Sequence, residues 1–64
     1  MENRIEEFRK KKGWSQYVLA DKLGVARSLV GRWERGDTIP SLEWAILLAR
    51  TLETTVEELF NPDR

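Results

Sequence analysis

Apolar positions recur along this chain at helical spacing, and no stretch alternates as a strand would. In residues 2–12, Ile5 and Phe8 stand among charges, Arg9 follows one turn after Ile5, and the pattern stops at Gly13. An amphipathic helix is predicted there, with Lys10, Lys11 and Lys12 at its C-terminal end, where the helix dipole favours cations. Ser15 then reads as an N-cap, followed by Leu19, Ala20 and Leu23 as the buried stripe of a second helix. Trp14 and Leu19 have the spacing of a hydrophobic staple, whereas Val18 stands where a capping box would carry Glu or Gln.

Gly24 interrupts the stretch SQYVLADKLGVARSLVGRWERG. A turn with positive φ suits glycine, which has no Cβ to clash, so the stretch divides into two short helices. Val25 drops into the core, and a third helix begins near Ala26 with Val30 and Trp33 on its apolar face. Gly36 ends it, and GDTIPS is a loop, since Pro40 lacks the N–H that a helix interior needs. Ser41 caps a fourth helix whose core-facing arc is Leu42, Ala45, Ile46, Leu48, Ala49 and Leu52. Thr55 opens a short fifth helix, with Glu58 at capping-box spacing and Pro62 as its end. The expectation is a single all-α domain over residues 1–64, a compact five-helix unit with a helix-turn-helix at about 15–35.

The charges change this picture. The chain is neutral overall, with 11 basic and 11 acidic residues, but the two signs are segregated. Residues 9–36 sum to +6, residues 1–8 to −2 and residues 37–64 to −4. The positive segment coincides with the helix-turn-helix, which is the footprint expected of a polyanion partner. There is no cysteine or histidine, so disulfides and thiolate or imidazole metal sites are excluded. No nucleophile–base pair or phosphate-cradling glycine loop is present either, so no enzyme chemistry and no cofactor are expected. No apolar run reaches the ~20 residues of a membrane span, and MENRIEEFRK lacks the apolar core of a signal peptide. A cytoplasmic protein with no membrane partner is expected. The tripeptide Arg35–Gly36–Asp37 matches an integrin-binding motif, but a three-residue match carries little weight.

The ordered set Gln16, Ala20, Gly24, Val30, Glu34, Gly36, Pro40, Ser41 and Leu42 resembles the phage repressor and Cro-type helix-turn-helix family, also called the xenobiotic-response-element family. The likeness runs from about Arg4 to Phe60, through KGWSQYVLADKLGVARSLVGRWERG, PSLEWAILLARTL and VEELF. Three positions depart from the family pattern. Ala26 replaces the usual Ser or Thr cap of the third helix, at about 1 kcal/mol. Gly31 lies inside that helix and costs another ~1 kcal/mol. Glu53 replaces a frequent glycine after the fourth helix.

The resemblance implies sequence-specific binding of double-stranded DNA, with helix 26–34 in the major groove of an operator and a role in transcription, most naturally repression. Arg27, Ser28, Leu29, Gly31 and Arg32 would then form its outer, base-contacting face. Each arginine can offer a guanidinium fork to guanine, Ser28 can donate or accept, and Leu29 can meet a thymine methyl. Gly31 is either a tolerated substitution or a gap that lets the backbone approach the duplex. Gln16, at a helix N-terminus, is the chief phosphate candidate, with Ser15, Tyr17 and Arg35 beside it.

A single short helix makes few base contacts, so a homodimer on a palindrome is expected. Leu47 and Thr51 point away from the core arc of the fourth helix and Trp44 lies at its border; with Phe60 they form the expected interface. The rival reading is an antitoxin-like or other protein-binding module. Tyr17, Val18, Leu29, Trp44 and Leu47 would then serve a protein partner.

Overall fold

The computed structural model describes residues 2–60. Five helices follow in order: α1 (Ile5–Lys11), α2 (Gln16–Leu23), α3 (Arg27–Arg35), α4 (Leu42–Thr51) and α5 (Val56–Leu59). No strand occurs among the described residues, as the all-α reading requires. Pro62, expected to end the last helix, lies outside them.

The helix starts follow from side chains that satisfy free backbone N–H groups. Ser15 Oγ accepts from Val18 N at 3.1 Å, and Ser41 Oγ accepts from Trp44 N at 3.3 Å. Thr55 Oγ1 accepts from Glu58 N at 3.0 Å, but the reciprocal half of the box is missing. The Glu58 carboxylate instead accepts from Thr54 Oγ1 at 2.9 Å. The first helix begins at Ile5 rather than at residue 2, because Asn3 Oδ1 takes up the Ile5 N–H at 3.1 Å. Ala26 has the extended backbone of an N-cap and no side-chain cap, so α3 starts uncapped, as read from the sequence.

Gly24 closes α2 with φ 75°. Val25 N then donates to Ala20 O at 3.0 Å, which turns the chain tightly enough to lay α3 against α2. α1 also packs on α3, while α4 bridges α2 and α5. Between them lies a core of Ile5, Leu19, Ala20, Val30, Trp33, Leu48, Ala49, Leu52 and Leu59. Trp14 and Val25 are half-buried against it. The Trp33 and Trp44 rings meet at 6.0 Å between centroids, tilted by 46°. A fully buried leucine contributes roughly 1.5–3 kcal/mol, so Leu19, Leu48, Leu52 and Leu59 provide much of the cohesion of so small a unit.

Two residues expected in the core are outside it. Leu42 is 72% exposed and Ile46 38% exposed. α4 is apolar around most of its circumference, and only Ala45, Leu48 and Ala49 are buried within it. At its end Glu53 adopts φ 58°, the left-handed conformation that glycine adopts at least cost.

Candidate nucleic-acid interface

The first residues of α2 and α3 meet. Arg27 Nη1 donates to Gln16 Oε1 at 2.9 Å, and the Arg27 guanidinium lies 5.4 Å from the Tyr17 ring centroid. Gln16 Nε2 in turn donates to Glu34 Oε1 at 2.9 Å. Behind it Arg9 reaches across from α1, its Nε donating to Glu34 Oε2 at 2.7 Å and its Nη2 to Glu34 Oε1 at 3.2 Å. Arg9 Nη1 donates to the Trp14 carbonyl at 2.8 Å. The Arg9 and Glu34 side chains are only 8% and 5% exposed. Hydrogen bonds to Glu34 hold the Arg9 pKa above its ordinary value; burial pushes the other way and is outweighed.

This network fixes which way the Gln16 amide faces. A carboxylate only accepts and a guanidinium only donates, so Nε2 must face Glu34 and Oε1 must face Arg27. A buried, two-armed ion pair therefore holds an amide, and the amide holds an arginine at the N-terminus of α3.

The basic segment is largely neutralised by acids outside it. Lys10 pairs with Glu6 at 3.1 Å, Lys11 with Glu7 at 3.6 Å and Arg35 with Asp37 at 2.9 Å. Lys12 pairs with Glu53. Glu7 also takes two hydrogen bonds from Arg4, which lower its pKa from 4.5 to about 2. Among the described residues of the segment, Lys22, Arg27 and Arg32 make no salt bridge. The positive charge left over is thus concentrated on the motif itself.

The outward face of α3 consists of Ser28, Arg32 and Arg35, one helical turn apart, with Arg27 at its leading end. Two residues expected to lie open on that face are covered. Gly31 is buried: a Cβ there would lie 3.3 Å from Arg35 Nη1 and 3.8 Å from the Gln16 amide, so it forms the floor on which Gln16 rests. Leu29 is half-buried against the core. Ser15 and Tyr17 are exposed at the start of α2, and Gln16 is half-buried between α2 and α3.

The helix-turn-helix family model matches residues 5–59. The chain belongs to the helix-turn-helix family. It is 42% identical over 97% of its length to the HTH-type transcriptional regulator AnsR of Bacillus subtilis, and spans about half (53%) of that protein. Two solved structures of SinR have the same fold. The SinR–SinI complex superposes with a TM-score of 0.85 at 34% identity, covering 95% of this chain and 60% of that one. SinR in complex with DNA superposes with a TM-score of 0.76 at 36% identity, covering 84% and 87%.

Sequence reasoning singles out Gln16, Arg27 and Arg32 as candidates and does not connect Gln16 and Arg27 with Arg9 of α1 and Glu34, whose hydrogen-bond network they share. One signal was available. Glu34 is a lone acid in an apolar-facing position of a basic helix, two residues from Arg32 and next to Arg35. An acid retained there needs a cationic partner.

Proposed function

We propose that the chain is a sequence-specific duplex DNA-binding regulator of transcription, a repressor that acts as a homodimer on a palindromic operator. The observation that carries this reading is the pair of arginines without carboxylate partners, Arg27 and Arg32, beside Ser28 on the second helix of the motif. Cations left unpaired on one exposed helix face favour a polyanion, and a guanidinium fork suits guanine O6 and N7. Ser15, Gln16, Tyr17 and Arg35 are assigned to phosphates. Gln16 has one amide hydrogen left after Glu34 is satisfied, enough for one phosphate oxygen. Gly31 has no part in base contact, and Leu29 offers at most an edge to a thymine methyl. Residues 1–64 act as one DNA-binding unit in the cytoplasm, as a binding protein and not an enzyme.

Leu47, Trp44, Thr51 and Phe60 are assigned to the dimer contact. Leu47, 43% exposed, and the exposed Ile46 beside it support that assignment. A second reading, a protein-binding module, draws on the exposed Tyr17 and Val18 and on SinR having been solved with SinI.

Selection from a random duplex pool at moderate salt tests the proposal. Enrichment of a palindromic motif is expected, lost or blurred with Arg32→Ala. A pool that returns no motif overturns it.

A further inference from the structure

α4 carries a second face that nothing in the described structure covers. On a helix turning 100° per residue, Glu43 and Arg50 lie only 20° apart and point directly away from the buried Ala45, Leu48 and Ala49. Ile46 and Leu47 flank that line on either side, 38% and 43% exposed, and Leu42 extends it, 72% exposed. A shallow hollow between Glu43, Trp44, Ile46 and Leu47 opens on the same face. Neither Glu43 nor Arg50 makes a salt bridge among the described residues.

We infer that this face docks on α4 of a second copy of the chain, antiparallel, about a two-fold axis passing between Ile46 and Leu47. The inference rests on the homodimer reading above, specifies its register and narrows its contact to a face that includes Leu47 and leaves Phe60 outside. Two-fold pairing about that point sets Ile46 against Ile46 of the other copy on one side of the seam and Leu47 against Leu47 on the other. It also sets each Glu43 against Arg50 of the other copy, at both ends of the apolar seam. The charges that have no partner within one copy thus become two reciprocal ion pairs between copies. A parallel pairing in register would oppose Glu43 to Glu43 and Arg50 to Arg50. The arrangement of charge therefore selects direction as well as partner, as flanking charges do in paired helices. α4 is only about 15 Å long, shorter than a standard interface of ~800 Å² per partner requires. The dimer is accordingly weak in solution and is completed on DNA that presents two half-sites.

Sedimentation of Glu43→Arg, Arg50→Glu and their equimolar mixture tests the inference, with affinity for a palindrome measured against that for an isolated half-site. Each variant alone opposes like charges at both ends, so self-association at least tenfold weaker is expected, with the palindrome advantage reduced to match. In the mixture the signs are complementary again and the dimer returns. That return also shows that both variants fold. A wild-type dimer indifferent to both reversals overturns this face while leaving the homodimer intact. If the groove between Leu42, Ile39 and Phe60 is the interface instead, Ile39→Glu alone dissociates the dimer. Variants that dissociate but are not restored by mixing overturn the antiparallel register. A wild-type chain that stays monomeric at high micromolar concentration and fills half-sites independently overturns the inference and the homodimer reading together.

Discussion

Arg9 and Glu34, 25 residues apart in sequence, form a two-armed ion pair that joins α1 to α3 beneath the surface of the motif. Both side chains have lost most of their water, and each is the other's main polar partner, with the Trp14 carbonyl also on Arg9 and the Gln16 amide on Glu34. Glu34→Gln leaves the Arg9 charge without its buried counterion, with only the exposed Glu6 carboxylate 3.8 Å away, and is expected to cost about 3 kcal/mol. A chain of this size has only roughly 3–10 kcal/mol in all, so such a loss is a large fraction of its stability. The double substitution Arg9→Leu and Glu34→Leu removes both charges and is expected to be milder than the sum of the single changes. Urea denaturation of the three variants checks this. Simple additivity would show the pair to be energetically idle.

Glu53 holds a left-handed backbone, φ 58°, at the end of α4. A side chain there costs roughly 1–2 kcal/mol that glycine avoids. The contact with Lys12 compensates little, because the carboxylate is largely exposed and surface pairs are worth about 0–1 kcal/mol. Glu53→Gly is therefore expected to stabilise the fold by about 0.5–1 kcal/mol, raising the melting temperature by a few degrees. A lower melting temperature would mean that the Lys12 contact outweighs the backbone strain.

The caps and turns were legible because each is a local event. Ser15, Ser41 and Thr55 act on N–H groups three residues ahead, and Gly24 and Gly36 act on their own φ. The sequence relates Arg9 only to Ile5, since helical periodicity ties a residue to its own helix and not to a partner on another. The core expectation for Leu42 and Ile46 fails for a related reason. Hydropathy marks a position as apolar without saying which apolar surface it meets, and α4 has two. For Gly31 the wheel gives direction but no depth, and the Gln16 side chain that covers it comes from α2.

α3 starts without a side-chain cap, and Ala26 already has φ −70° and ψ 143°. Ala26→Ser puts a hydroxyl within reach of a free N–H and is expected to add about 0.5–2 kcal/mol. Gly31→Ala is expected to add less than the ~1 kcal/mol of helix propensity. Its Cβ meets Arg35 Nη1 at 3.3 Å, and that exposed guanidinium must swing aside, whereas the Gln16 amide at 3.8 Å can stay. Thermal denaturation of both variants checks the pair. No gain from Ala26→Ser would mean that water already satisfies the N–H groups as well as a hydroxyl does.

Gln16 and Arg32 are expected to fail in different ways on DNA. Arg32 is exposed, makes no salt bridge among the described residues and lies on the outward face, so Arg32→Ala should remove discrimination at one base pair, worth about 1–3 kcal/mol. Affinity for unrelated duplexes should fall much less. A residue that met only phosphate would weaken all sequences alike. Gln16 does more than that, because its Oε1 also holds Arg27 in place at 2.9 Å. Gln16→Ala is therefore expected to lower affinity for every sequence and, in addition, to relax preference at the base pair assigned to Arg27. Gln16→Glu separates the two effects. A carboxylate still accepts from Arg27, but it opposes Glu34 and repels phosphate, so general affinity should fall while the preference at that base pair is partly kept. Binding profiles across a set of single-base operator variants, measured at two salt concentrations, distinguish these outcomes. A uniform loss for Gln16→Ala, with the Arg27 position read as sharply as in the wild type, would show that the amide does not position the arginine.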